Sequence, residues 1–189
     1  MGVDKKVYLS ANDYQRDSWR LAAKVRESGW RPDIIVALWR GGAPVGVVVH
    51  EFLLASGWKT RHIAVKCASY TGIGTNPGAV VFEGADGFFS ALHPGERILV
   101  IDDVFDTGKT AAAVKARFEA AGCEMRLATV YWKKANNQTP LSPDYCVRET
   151  GDDWLVFPHE IEGLTREEIA EKDPVLAELL TKFAFPDAK

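Results

Sequence analysis

The run Arg97-Ile98-Leu99-Val100-Ile101-Asp102-Asp103-Val104-Phe105-Asp106-Thr107-Gly108-Lys109-Thr110 puts three aspartates into five positions directly behind four apolar residues. That much charge at the end of a buried strand requires a compensating ligand or cation. Adjacent carboxylates can accept hydrogen bonds from vicinal hydroxyls. The Thr107-Gly108-Lys109-Thr110 turn leads into an alanine-rich stretch. It would present backbone N–H groups at a helix N-terminus, where the helix dipole favours an anion. A diol and an anion held side by side describe a sugar phosphate, and ribose 5-phosphate is the simplest fit.

Two other readings of this segment fail. Gly108-Lys109-Thr110 imitates the end of a Walker A loop, but that loop needs a glycine five positions before Gly108, where this chain has Asp103. A carboxylate there would face the triphosphate oxygens. An ordinary strand-to-helix turn capped by Asp106 or Thr107 accounts for one acid and one threonine. It leaves Asp102 and Asp103 unexplained.

Arg40-Gly41-Gly42, behind the apolar stretch Ile34 to Leu38, is a second candidate anion-binding turn. Glycines let backbone amides approach an anion, and arginine adds a charged fork suited to phosphate oxygens. Alone it reads equally well as a tight turn. Lys133 follows Ala128 to Trp132, and Trp154 lies in Asp152-Asp153-Trp154-Leu155-Val156-Phe157-Pro158-His159-Glu160. By themselves these two also have plainer readings, a solvated strand-end lysine and a core tryptophan. His159 and Glu160 are expected at the surface.

The elements that must position these residues alternate between strand and helix. Val7 to Leu9 reads as a short strand, and Ser10 opens a helix reaching Gly29. Ile34 to Leu38, Ile63 to Val65, Arg97 to Ile101 and Leu127 to Trp132 read as strands. Pro44 to Ser56 and Thr110 to Ala121 read as helices, the latter closed by Gly122. Val80 to Phe82 is expected to return as the partner of the Ile63 strand. The pattern predicts an α/β fold with a central, mostly parallel sheet flanked by helices. Ligands of such sheets collect at the carboxyl ends of strands, so Arg40-Gly41-Gly42 and Asp102-Asp103 can share one crevice. A helical tail, broken near Pro174, closes the chain.

At 189 residues the chain suits a single domain spanning 1–189. A net charge of −3 argues against bulk attraction to nucleic acid. The three cysteines, Cys67, Cys123 and Cys146, show no metal-ligand or CxxC spacing and read as reduced thiols. Neither a signal peptide nor a membrane-spanning run is visible. No nucleic-acid or membrane partner and a cytoplasmic location are therefore expected.

In its chemistry-bearing residues the chain resembles the type I phosphoribosyltransferases, purine branch (xanthine-guanine and hypoxanthine-guanine). The match at the first segment is position by position: four apolar residues, Asp102-Asp103, two apolar residues, then Asp106-Thr107-Gly108-Lys109-Thr110. The resemblance implies that fold, with a small hood over the base site built from the N-terminal strand and residues 133 to about 163. The tail 164–189 lies outside it. It implies phosphoribosyl pyrophosphate (PRPP) and a purine base as substrates, Mg2+ as cofactor, and a homo-oligomer, dimer or tetramer.

The same resemblance carries roles residue by residue. Asp102 and Asp103 would engage the ribose hydroxyls directly or through magnesium. Asp106, Thr107, Gly108, Lys109 and Thr110 would hold the 5-phosphate, with Asp106 also the catalytic base near the purine N7. Arg40, Gly41 and Gly42 would bind pyrophosphate. Ser69 and Tyr70, with the glycine-rich segment Thr71 to Gly78, resemble the loop that closes over the site. Lys133 (or Lys134, one position on) would donate to the purine O6. Trp154 would stack on the base and Leu155 would read its edge by its backbone. Val156 departs from the family pattern, where an acid would hold a 2-amino group, and this weakens the case for guanine. The expected activity is phosphoribosyl transfer to a 6-oxopurine. The alternatives are a PRPP-binding regulator without catalysis and the same chemistry on another base.

Overall fold

The computed structural model describes residues 5–69 and 80–183. By their internal contacts the residues form two compact units: Gln15–Asp152, and the two ends of the chain, Met1–Tyr14 with Asp153–Lys189.

The larger unit is built on runs apolar at every position. In β2 (Ile34–Trp39) and β5 (Arg97–Phe105), Ile34 to Leu38 and Ile98 to Ile101 are all buried. Strands buried on both faces belong in the middle of a helix-covered sheet. With β3 (Arg61–Ser69), β4 (Val80–Glu83), β6 (Glu124–Trp132) and β7 (Tyr145–Glu149) they form one sheet in the order β4-β3-β2-β5-β6-β7. All neighbours run parallel except the β3–β4 hairpin. The alternation of side chains is visible in the packing. Ile34, Val36, Leu38, Ile98 and Val100 join Val114 and Phe118 of helix α4 (Lys109–Ala120) and Phe89 of the short α3 (Asp86–Ser90) in one core. On the opposite face, helix α2 (Gly42–Ala55) lies against β2 and β5 and buries Val45, Val49 and Leu53.

Strand β2 continues through α2 to β3 on one side, and β5 through α4 to β6 on the other. The chain thus switches direction between β2 and β5, the place where open α/β sheets form their ligand crevice. Arg40 follows β2 and Asp106 follows β5. Both candidate anion turns therefore leave adjacent strands at the switch.

In the smaller unit β1 (Lys6–Tyr8) pairs in parallel with β8 (Trp154–Val156). Two short helices follow, α5 (Arg166–Lys172) and α6 (Pro174–Leu180). Asp173 ends the first and caps the second, accepting from Val175 N and Leu176 N. Val156, Leu164 and Ile169 form its core. Helix α1 (Ala11–Glu27) starts behind Ser10, whose Oγ accepts from Asp13 N at 3.0 Å.

The structure corrects the expected elements in three places. Strand β5 continues to Phe105, four residues beyond Ile101, because β6 goes on pairing with it through Asp102–Thr129, Val104–Tyr131 and Phe105–Trp132. Helix α3 and strand β7 were absent from the expected pattern. Among the described residues, no helix is long and apolar enough to cross a membrane.

Candidate active site

Because β5 runs past the acidic pair, Asp102 and Asp103 are consecutive strand residues and leave opposite faces of the sheet. Asp103 is buried, 8% exposed, and its Oδ1 accepts from Val104 N at 2.8 Å. It lies against the Arg40-Gly41-Gly42 turn: a β-carbon on Gly41 would fall 1.9 Å from Asp103 Oδ2, and one on Gly42 would fall 2.3 Å from Ile101 O. Only glycines allow this approach. The peptide between Trp39 and Arg40 is cis. The two motifs are thus in contact through backbone on one side and carboxylate on the other.

Asp102 faces a cavity of about 90 Å³ lined also by Leu38, Phe105, Asp106, Thr107, Gly108, Thr110 and Thr129. At about 30 Å³ per water, it accommodates a phosphate group. The start of α4 forms one wall. Gly108 is the N-cap with φ 79°, and no side chain caps the helix in the usual way. Thr107 Oγ1 reaches Lys109 N only at 3.5 Å. The first amides of α4 are therefore presented to the cavity, where an anion completes them. Lys109 itself is exposed and is not among the residues that line the cavity. Burial pushes the Asp102 carboxyl well above the usual carboxylate range, and the neighbouring Asp103 charge adds to the shift. Two acids that resist joint ionisation are suited to a hard cation, since Mg2+ binds through one or two carboxylates together with phosphate oxygens and waters.

A loop that the sequence reading passed over braces this turn. Lys133 N donates to Phe105 O at 2.8 Å, and a 3₁₀ turn over Lys134–Asn136 follows. Asn136 Nδ2 donates to Asp106 Oδ1 at 2.9 Å, and Gln138 N donates to Thr107 O at 3.0 Å. A β-carbon on Gly108 would lie 2.4 Å from Thr139 Oγ1 and 2.8 Å from Asn137 Oδ1. The signal was present in Asn136-Asn137-Gln138-Thr139-Pro140, since such residues build turns by bonding nearby backbone. Asn137 does so, its Oδ1 accepting from Thr139 N at 2.9 Å.

A family model described as phosphoribosyl transferase domain matches residues 8–162. The chain belongs to that family. It is 30% identical over 163 residues to a xanthine-guanine phosphoribosyltransferase of Desulfotalea psychrophila, covering 84% of this chain and 89% of that one. Among solved structures it is similar to a purine phosphoribosyltransferase from Pyrococcus horikoshii (29% identity, TM-score 0.66, 85% of this chain and 97% of that one). A hypothetical protein from Neisseria gonorrhoeae, solved with bound ppGpp, shares the fold at 21% identity with TM-score 0.73, covering 95% of this chain and 99% of that one.

Within this phosphoribosyltransferase the sheet unit places Gly41 and Gly42 against Asp103 and Ile101, lines one cavity with Asp102, Asp106, Thr107, Gly108 and Thr110, and bonds the Lys133 amide to the end of β5. Of the two candidate lysines, Lys134 is engaged elsewhere. Its ammonium lies 3.6 Å from Glu149 Oε1 and 5.1 Å from the centroid of Trp132. Ser69 ends β3, while Tyr70 and the segment up to residue 79 lie outside the described residues. Trp154 and Leu155 belong to the smaller unit. Trp154 is 40% exposed, so it is not the core tryptophan of the plainer reading, whereas Leu155 is buried and offers only backbone. Val156 is a core residue there. His159 is exposed and stacks on Phe157, and Glu160 Oε2 accepts from Phe157 N at 3.1 Å, which makes that acid part of a turn. Cys67, Cys123 and Cys146 are free, and burial pushes every thiol up, Cys67 to about 12, so none is primed as a nucleophile.

Proposed function

We propose that this protein transfers the 5-phosphoribosyl group of PRPP to N9 of a 6-oxopurine (hypoxanthine, guanine or xanthine), releasing pyrophosphate, in purine salvage. The observation that carries the reading is the amide-lined cavity at the start of α4, with Asp102 in its wall and the Gly41–Asp103 contact beside it. It offers an anion pocket, diol acceptors and a second anion turn at one switch point. The names of the xanthine-guanine and purine relatives support the base class.

In this mechanism the α4 amides with Thr107 and Thr110 bind the 5-phosphate, and Asp102 and Asp103 orient the ribose hydroxyls. Arg40 and the Gly41 and Gly42 amides take up charge on the departing pyrophosphate. The bond from C1 of the ribose to the pyrophosphate oxygen breaks, and the bond from C1 to N9 forms. Asp106, held by Asn136, accepts the purine proton. Lys133 donates to O6, and Trp154 with the Leu155 backbone fixes the base plane, where positioning lowers the barrier. Ser69 and Tyr70 belong to the PRPP-binding set in the same proposal. Magnesium held by Asp102 and Asp103 would neutralise pyrophosphate charge and organise the ribose hydroxyls. A cytoplasmic setting fits the unpaired thiols.

The test is incubation with magnesium, PRPP and each of hypoxanthine, guanine, xanthine and adenine, with nucleotide and pyrophosphate quantified. Nucleoside monophosphate from at least one oxopurine is expected. No nucleotide from any base, with PRPP still bound, would turn the reading to a PRPP-sensing protein. Adenine as the best substrate would remove Lys133 from the base site.

A further inference from the structure

Lys6 and Trp154 are direct partners in the parallel ladder of β1 and β8, so their side chains leave the same face of that small sheet. The Lys6 ammonium lies 4.7 Å from the centroid of the indole ring. The same nitrogen donates to both oxygens of Glu168, at 2.7 and 2.8 Å. Glu168 is itself fixed as the third residue of a capping box. Its Oε2 accepts from Thr165 N at 2.8 Å, and its own N donates to Thr165 Oγ1 at 3.2 Å. The next residue, Ile169, is buried against Val156 and Leu164, which anchors α5 to the same core as β8. The Lys6 and Glu168 side chains are only 20% and 26% exposed, against 40% for Trp154. One face of the indole is thus backed by a pinned cation while much of the residue stays open to solvent. Lys6 and Glu168 both lie outside residues 8–162, the part of the chain that matches the family model.

We propose that the Lys6–Glu168 pair is a positioning device that holds Trp154 as the platform on which the purine stacks. This rests on the base-stacking role assigned to Trp154 above. The pairing also decides what the device does. A bare ammonium behind the ring would favour the most acidic oxopurine, xanthine. With both Glu168 oxygens on it, the ammonium is neutralised, and the outer face of the ring sees a weak dipole. The device therefore fixes the ring without choosing among bases. The ordering cost of the indole is met before the base arrives, and the benefit appears in base affinity. A cation–π contact and one immobilised side chain correspond to about three- to tenfold in binding.

The experiment is steady-state kinetics with PRPP and every oxopurine the protein turns over, on Lys6→Met, Lys6→Arg, Glu168→Gln, Trp154→Leu and the Lys6→Met/Trp154→Leu double variant. Lys6→Met is expected to raise KM for each base by about three- to tenfold and to similar extents. KM for PRPP and kcat should stay near the parent values, and Lys6→Arg should restore the base KM. Trp154→Leu should raise the base KM at least as much, and adding Lys6→Met to it should change nothing further. Should Lys6→Met fail to fold, Glu168→Gln is expected to raise KM for hypoxanthine and guanine by a similar factor through loss of the anchor, and KM for xanthine less, because it leaves the ammonium unneutralised. A base KM untouched by both substitutions, while Trp154→Leu raises it, overturns the positioning role and leaves stacking intact. An equal rise from Lys6→Met with or without Trp154 also overturns it. Base KM unchanged in Trp154→Leu removes the stacking reading, and the positioning role with it.

Discussion

Asp106 leaves the end of β5 with one carboxylate oxygen already occupied by Asn136 Nδ2 at 2.9 Å, so its second oxygen is the one free to point toward a base. Asp106→Asn keeps the shape and the acceptor oxygen that Asn136 uses, and removes the charge that takes up a proton. A fall in kcat of about a hundred- to ten-thousandfold is expected, the usual span for a general base. PRPP binding measured by calorimetry should hardly change. Unchanged turnover would take Asp106 out of the mechanism. Gly41→Ala is a different kind of test, because its methyl would land 1.9 Å from Asp103 Oδ2. Either the turn or the buried carboxylate must move. PRPP affinity should drop by at least about tenfold, since one lost charge-assisted contact is worth about 1.5–3 kcal/mol. A parent-like Kd would show that the turn and the acid do not share a ligand.

Among the elements, α1 is tied to the β6–β7 edge by one acid the sequence did not single out. Asp17 is 1% exposed, and its carboxylate receives Arg148 Nε at 2.6 Å, Arg148 Nη2 at 3.1 Å and Arg20 Nη1 at 2.6 Å. Burial alone would raise the carboxyl, but the Arg148 and Arg20 hydrogen bonds and charges outweigh it and hold it below the usual range. A depressed folded-state value means stability that is fully present above the unfolded value, about 3.9, and is lost as pH falls through the folded one. Asp17→Asn should therefore cost roughly 1–3 kcal/mol at neutral pH, a loss of charge-assisted hydrogen bonds in a pair that is open on the arginine side. The difference from the parent should shrink below about pH 4 in thermal melts, because protonated Asp17 no longer differs in charge. A gap that stays constant with pH would assign the loss to packing. Elements of this kind separate what is legible in a sequence from what is not. The buried strands, α2 and α4 announce themselves by unbroken apolar runs and glycine stops. Strand β7 does not, because at the sheet edge Cys146 and Val147 are only partly buried and Arg148 is turned to a helix acid. The end of β5 was misplaced for a related reason: charge reads as a strand terminus, yet the ladder to β6 continues under Asp102 and Asp103. The acidic pair and the Thr107–Thr110 turn could be read early because their residue types have few other uses. The bracing loop at Asn136 to Thr139 could not, since its contacts are made across the fold to a turn some thirty residues earlier.

At the scale of the whole molecule, α2 poses a question about association. Its sequence, Gly42-Ala43-Pro44-Val45-Gly46-Val47-Val48-Val49-His50-Glu51-Phe52-Leu53-Leu54-Ala55, is apolar nearly all round, and such helices are normally buried on every side. Here Val45, Val49 and Leu53 face the sheet, while Val47 is 65% and Leu54 43% exposed, with Trp39 at 54% beside them. A groove of about 400 Å³ runs along this surface between Trp39, Ala43, Val47, His50 and His62. Contiguous apolar surface of this kind marks an association site, and a second copy of the chain is the occupant put to the test here. A two-fold contact would set the same apolar patch against itself, as such symmetry demands. The patch also borders the pyrophosphate turn, since Trp39 is bonded to Arg40. Val47→Glu places a charge at the centre of the surface without touching the sheet. It should convert a dimer to a monomer in sedimentation velocity at micromolar concentration, with the far-UV circular dichroism unchanged and the melting temperature no longer dependent on protein concentration. KM for PRPP should rise with it, because the Trp39–Arg40 segment would lose the neighbour that supports it. A parent protein that sediments as a monomer throughout that range would show that α2 carries its apolar surface for another reason.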